Sequence, residues 1–255
     1  MPTLDRNGVN IHYEIRGEGP AVLVTHGFGA SSHMFEAMSA SLAATHRVIT
    51  WDLRGHGRSD YPTDENEYSV PLAVGDMLAI LDAADVDRAV LMGHSLGGYL
   101  SLDLQRTHPD RVSALVLIGT GPGYRRDDAR DGWNKMAEAF AVDLETKGLD
   151  GLPSSEEIRP DVHRSADGLV RAARGILRQH DDLVLANLPA ISVPVLVVIG
   201  ERDKPFLAGS QYMAGKIPGA AITVITGARH APMITHRDAF DAHIASFLMS
   251  DAKNS

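Results

Sequence analysis

The chain contains no cysteine in its 255 residues. Disulfides, thiolate metal sites and a cysteine nucleophile are thereby excluded together, and a reducing compartment, the cytoplasm, is the expected location. Long hydrophobic runs are missing too: nothing approaches the roughly 20 apolar residues a membrane helix needs. The opening segment Met1–Arg6 carries no apolar stretch behind a basic start, so no secretion signal is expected. Clustered cations are equally scarce. Lys and Arg number 24 against 33 Asp and Glu, for a net charge of −9, and the pair Arg125-Arg126 is followed at once by Asp127-Asp128. A nucleic-acid surface needs basic clusters, so neither nucleic acid nor a membrane is an expected partner. What is present is ordinary for a globular protein, 44% hydrophobic and 22% charged, with length enough for a large core. No internal repeat or low-complexity tract interrupts it.

The apolar residues fall in short continuous runs that end in glycine or a small polar residue. These are 21–25 before His26-Gly27, 47–51 before Asp52, 89–92 before Gly93, 114–118 before Gly119, 193–199 before Gly200, and 221–225 near Gly227. Continuous runs predict strands covered on both faces, as in a parallel sheet. Helical spacing separates them, with Leu72, Val74, Met77, Leu78 and Leu81 on one stretch and Leu96, Leu100, Leu102 and Leu104 on another. The alternation predicts βαβ crossovers and a doubly wound α/β sheet. Residues 9–15 alternate instead, which predicts an antiparallel edge hairpin. From Gly121 to about Pro189 no strand-like run occurs, and apolar residues recur at helical spacing. That interval far exceeds an ordinary connection. The expected organisation is a core of residues 1–120 and 190–255 with a helical cap, 121–189, inserted in it.

The chemistry centres on Gly93-His94-Ser95-Leu96-Gly97-Gly98, lying directly after a predicted strand and before a predicted helix. As a bare G-x-S-x-G pattern this is weak. In that context it predicts a nucleophile elbow, a strained turn that lifts the Ser95 hydroxyl above the carboxyl edge of the sheet. Serine needs a base, and His230, in the loop after the last predicted strand, lies on that same edge. The base needs a carboxylate to fix its tautomer. Asp203, separated by three residues from the strand ending at Ile199, is preferred over Glu201, and the stretch Gly119–Gly123 offers no acid. The oxyanion requires donors, for which the N–H groups of Phe28, in His26-Gly27-Phe28-Gly29, and of Leu96 are expected. Trp133, Met136 and Phe140, at helical spacing in the cap, are candidates for an apolar substrate pocket or for glue between cap and sheet. The histidines show no metal-ligand spacing. Neither a metal nor an organic cofactor is expected.

Four motifs in order, His26–Gly29, Asp52–Ser59, Gly93–Gly98 and the pair Asp203/His230, resemble the α/β-hydrolase fold family in its small capped branch of carboxylesterases, enol-lactonases, C–C hydrolases and cofactor-free haloperoxidases. The resemblance implies an eight-stranded, mostly parallel sheet and a serine esterase or lactonase with catalytic residues Ser95, Asp203 and His230. It implies a small to medium ester or lactone as partner, with the chain alone or as a homo-oligomer. Members with Asp at the elbow, the dehalogenases and epoxide hydrolases, are excluded by Ser95. C–C hydrolases are disfavoured by Ala30-Ser31-Ser32 and by His94 before Ser95. A C–C bond hydrolase, a cofactor-free haloperoxidase or perhydrolase, and a ligand receptor of the same fold are the alternatives. Asp52–Ser59 looks like the family's structural turn, with Arg54 tying loops together.

Overall fold

A computed structural model describes residues 3–251. One sheet runs through it, built from β1 (Thr3–Arg6), β2 (Val9–Arg16), β3 (Ala21–Thr25), β4 (Arg47–Trp51), β5 (Ala89–His94), β6 (Val112–Ile118), β7 (Val195–Gly200) and β8 (Ala221–Ile225). Their spatial order is β1-β2-β4-β3-β5-β6-β7-β8. The β1–β2 and β2–β4 pairings are antiparallel, and every later neighbour is parallel. The edge hairpin expected at 9–15 thus gains a partner, β1, that the apolar pattern did not reveal. Its turn is Asn7-Gly8, both at positive φ (57° and 88°), the dipeptide that two-residue hairpins favour.

The continuous apolar runs have the predicted cause. Leu23, Ile49, Leu91, Leu115, Leu117 and Val197 point to one face of the sheet, whereas Val22, Val24, Val48, Met92, Val116 and Val198 point to the other. Side chains alternate faces along a strand, and in these inner strands both faces are buried; β8 departs from the expectation, because it closes the sheet edge with Ile222 40% and Val224 45% exposed. On the first face lie α2 (Val70–Ala83), α3 (Leu96–Thr107) and α7 (Lys204–Lys216). On the second lie α1 (Glu36–Leu42) and α9 (Arg237–Asp251). The strand expected from Val193 starts instead at Val195. Pro194 has no N–H to give the ladder, although its carbonyl still accepts from the Leu115 N–H at 2.9 Å.

Between β6 and β7 the described residues form helices only, chiefly α4 (Asp127–Lys147), α5 (Ala166–Gly175) and α6 (Leu183–Asn187). Ala141 and Leu144 of α4 pack on Leu169, Val170 and Ala173 of α5 in a small core of their own. Arg174 fastens the same pair through Glu138 at 2.6 Å and Glu145 at 2.5 Å. A short helix α8 (Pro232–Thr235) follows β8. No helix among the described residues is long and apolar enough to cross a membrane.

Candidate active site

Ser95 joins β5 to α3 at φ 53° and ψ −116°, a conformation costly for any residue bearing a Cβ. The surrounding sequence makes that turn feasible. A Cβ on Gly93 would lie 2.2 Å from the Gly97 carbonyl oxygen, and one on Gly97 would lie 2.2 Å from the carbonyl oxygen of Thr25. Only hydrogen fits at either place. The Ser95 N–H donates to the Ile118 carbonyl at 2.9 Å, and the Thr120 hydroxyl donates to the Ser95 carbonyl at 2.6 Å. The serine side chain borders a cavity of about 180 Å³.

Asp203 and His230 stand on the loops after β7 and β8, which the packing forces together. A Cβ on Gly200 would fall 2.1 Å from the Arg229 carbonyl oxygen, and the Arg202 N–H crosses to the Ala228 carbonyl at 2.8 Å. His230 Nδ1 then donates to Asp203 Oδ2 at 2.7 Å. Asp203 is buried at the start of α7, yet its carboxylate caps no helical N–H, because it is committed to the imidazole. With Nδ1 carrying the proton, Nε2 keeps its lone pair. Glu201 is exposed and accepts from the Gly227 N–H at 2.8 Å, so it braces the loop rather than the histidine. The Phe206 ring stacks on the His230 ring with centroids 4.7 Å apart, and Phe206 lines the cavity that Ser95 borders.

The loop carrying Phe28 is clamped by two imidazoles. Leu53 N–H donates to His26 Nε2 at 3.0 Å, so His26 Nδ1 bears the proton and donates to the Gly27 carbonyl at 2.7 Å. Gly57 N–H donates to His163 Nδ1 at 3.1 Å, so His163 Nε2 donates to the Gly29 carbonyl at 2.8 Å. In a trans peptide the C=O and N–H point opposite ways. Anchoring the Gly27 oxygen therefore aims the Phe28 N–H away from His26. Neither that N–H nor the N–H of Leu96, at the start of α3, has a backbone acceptor among the described residues. The clamps are His26, which sits in the loop motif itself, and His163, which no sequence signal marks.

These clamping histidines are buried and neutral. Burial pushes His26 down to about 4 from the usual 6.5, and it lowers His56, His94 and His163 as well. The unfolded chain would protonate them near 6.5, whereas the folded chain resists, so acidification favours unfolding. Stability is fully present above about pH 6.5 and is lost as the pH falls toward 4. His26 alone accounts for about 3 kcal/mol of that loss, at 1.36 kcal/mol per unit. Urea unfolding at pH 7 and pH 4.5 checks this, with a His26→Asn variant expected to show the shallower dependence.

Of the three residues expected at a pocket, only Trp133 lines the cavity, with its indole N–H donating to the Leu177 carbonyl at 2.7 Å. Met136 and Phe140 do not line it. The Phe140 ring instead stacks on Phe28 with centroids 6.0 Å apart, because its position on α4 faces the clamped loop. Tyr99, Gln179 and Phe206 complete the wall and were not anticipated. Tyr99 follows Ser95 by one helical turn and Phe206 follows Asp203 by three residues, spacings that share a helix face. Gln179 carries no such signal. Its place depends on Asn134, whose amide oxygen and nitrogen both engage the Gln179 backbone at 2.9 Å.

Residues 20–148 match a family described as alpha/beta hydrolase fold. The chain is 30% identical over 249 residues to the pimeloyl-acyl-carrier-protein methyl ester esterase of Neisseria meningitidis, covering 89% of this chain and 92% of that protein. Among solved structures it is similar to the enol-lactonase of Burkholderia xenovorans, with a TM-score of 0.79, 26% identity, and coverage of 97% and 100% of the two chains. It is likewise similar to a thermophilic esterase of Thermogutta terrifontis, with a TM-score of 0.81, 26% identity, and coverage of 98% and 97%.

Proposed function

The chain belongs to the α/β-hydrolase fold family, and on that premise we propose that it is a cytoplasmic serine hydrolase cleaving a small to medium carboxylic ester or lactone through an acyl-enzyme. The observation that carries this reading is the 2.7 Å His230–Asp203 hydrogen bond at the same sheet edge as a serine on a strained elbow. Ser95 Oγ attacks the carbonyl while His230 Nε2 takes its proton. The N–H groups of Phe28 and Leu96 hold the oxyanion, each worth about 2.7–4 kcal/mol in the transition state. His230 then protonates the leaving alcohol, and a water molecule activated by the same imidazole releases the acid. Asp203 stays ionised throughout, holding the imidazole in its tautomer.

The cavity argues for a small acyl or alcohol group. Its volume of about 180 Å³ lies below the roughly 300–1,000 Å³ of sites for drug-sized ligands. Leu96, Trp133, Leu177 and Phe206 give it apolar walls. The helices between β6 and β7 act as its cap. Replacing Trp133 by alanine is expected to lower kcat/KM for a butyrate ester about tenfold, the cost of about 1.4 kcal/mol of lost apolar contact, while the acetate ester is affected less. Equal losses on both esters would remove Trp133 from the acyl pocket.

The test of the whole reading is covalent labelling by a fluorophosphonate beside a screen of p-nitrophenyl esters of rising chain length and simple lactones. Labelling of the natural protein, none of Ser95→Ala, and turnover highest for short chains are expected. A folded natural protein that neither labels nor turns over any of these substrates overturns it.

A further inference from the structure

Glu157 lies in the segment between α4 and α5 and is 7% exposed, yet it has no cationic partner among the described residues. Its one hydrogen-bond partner among the described residues is the Ser155 hydroxyl. A ring nitrogen of His94, a ring nitrogen of His230 and a carboxylate oxygen of Glu157 all lie within 4.8 Å of one another.

The tautomers of both histidines follow from their partners. His94 Nε2 meets the His230 carbonyl at 3.1 Å. A carbonyl only accepts, so Nε2 carries the proton and Nδ1 presents a bare lone pair. That Nδ1 is buried with no hydrogen-bond partner among the described residues, and like the Ser95 Cβ it lies 3.0 Å from the point a Gly27 Cβ would occupy. His230 donates through Nδ1 to Asp203, which leaves Nε2 bare as well. Two neutral imidazole lone pairs and one carboxylate form a donor set suited to zinc, with a fourth position for water. Burial holds His94 in the neutral form that coordination requires.

We propose that His94 Nδ1, His230 Nε2 and the Glu157 carboxylate form a binding site for a zinc-like divalent cation, and that occupancy switches the hydrolase off. Coordination takes the Nε2 lone pair that would otherwise accept the Ser95 proton, so cation and turnover exclude each other. The cation is an inhibitor here and not a cofactor. Binding stands on this geometry alone, whereas the switch rests on the hydrolase reading above.

Zinc titration tests both parts. Natural protein should lose ester turnover as Zn²⁺ is added, and its melting temperature should rise, since the three ligands converge only in the folded chain. Glu157→Gln should keep the turnover of the natural protein while needing at least 10–100 times more Zn²⁺ for the same inhibition, because loss of even an outer-shell partner costs about that factor. Ser95→Ala, which cannot hydrolyse, should still take up one Zn²⁺ per chain in competition with a chromophoric chelator, and Ser95→Ala/Glu157→Gln should not. Glu157→Ala, with its melting temperature measured alongside, repeats the comparison should the glutamine variant be poorly folded. Equal uptake with and without Glu157 would mean adsorption to other histidines of the twelve and would overturn the site. Glu157-dependent uptake that leaves turnover intact would overturn the switch. The same uptake by a natural protein that hydrolyses nothing would instead sink the hydrolase reading and leave the cation site standing.

Discussion

Replacing Ser95 by alanine is expected to lower kcat for a short p-nitrophenyl ester by about a million-fold, the scale seen when a triad nucleophile is removed. The loss is chemical, because no other hydroxyl in the cavity is placed by an elbow. Thr120, the neighbouring hydroxyl, spends its proton on the Ser95 carbonyl at 2.6 Å. Stability should move the other way in a second variant. At φ 53° any residue with a Cβ stores of order 1–3 kcal/mol of backbone strain, which glycine does not. Ser95→Gly is therefore expected to be as inactive as Ser95→Ala but more stable by about 1 kcal/mol, after glycine's own entropic cost. Steady-state kinetics and urea unfolding of the two variants give both readings. Retained turnover in Ser95→Ala would end the acyl-enzyme scheme. Equal stability of the two variants would mean that the elbow stores no strain.

The second large effect is on the fold. Asp76 in α2 has no exposed surface, and Arg54 grips it with Nε at 2.6 Å and Nη2 at 2.9 Å while Arg6 Nε reaches it at 3.1 Å. Arg54 is itself buried and also pairs with Glu67. Asp76→Ala would take from buried Arg54 two of its hydrogen bonds and leave it only Glu67, and would take from Arg6 its bond to the same carboxylate. Removing one partner of a buried pair costs about 3–5 kcal/mol, which for a chain this long lowers the melting temperature by roughly 10 °C. Activity should suffer as well. Arg54 lies in the turn that also supplies the Leu53 N–H to His26 and holds Asp52, whose carboxylate accepts from the N–H groups of Ser32 at 2.7 Å and Arg58 at 2.9 Å. A melting temperature within 2 °C of the natural protein would contradict the account.

Local pattern made much of this molecule legible. The strands that flank the elbow are legible because both of their faces are buried, so their central residues are apolar on both sides. Their ends shifted by a residue or two where proline or hydrogen-bond geometry intervened, as at Val195. The elbow was readable because its turn admits only glycine at 93 and 97. Choosing Asp203 over Glu201 rested on position alone, and the structure supplies a cause: the Glu201 carboxylate is occupied by the Gly227 N–H. Between β6 and β7 the pattern was less informative. Helical spacing identifies a face but not its neighbour, which is why Trp133 lies at the cavity while Phe140, on the same helix, meets Phe28.

The sequence by itself determined the alternation of strand and helix and the glycine-flanked turn at Ser95, because each depends on residues adjacent in the chain. Tertiary structure alone decided the rest of what stands around that serine: the His163 clamp on Gly29, Gln179 in the cavity wall, and the meeting of Glu157 with His94 and His230. Such groups come from segments separated by dozens of residues. Their approach is set by how whole helices pack on the sheet, a long-range balance of shape and burial that no local spacing encodes.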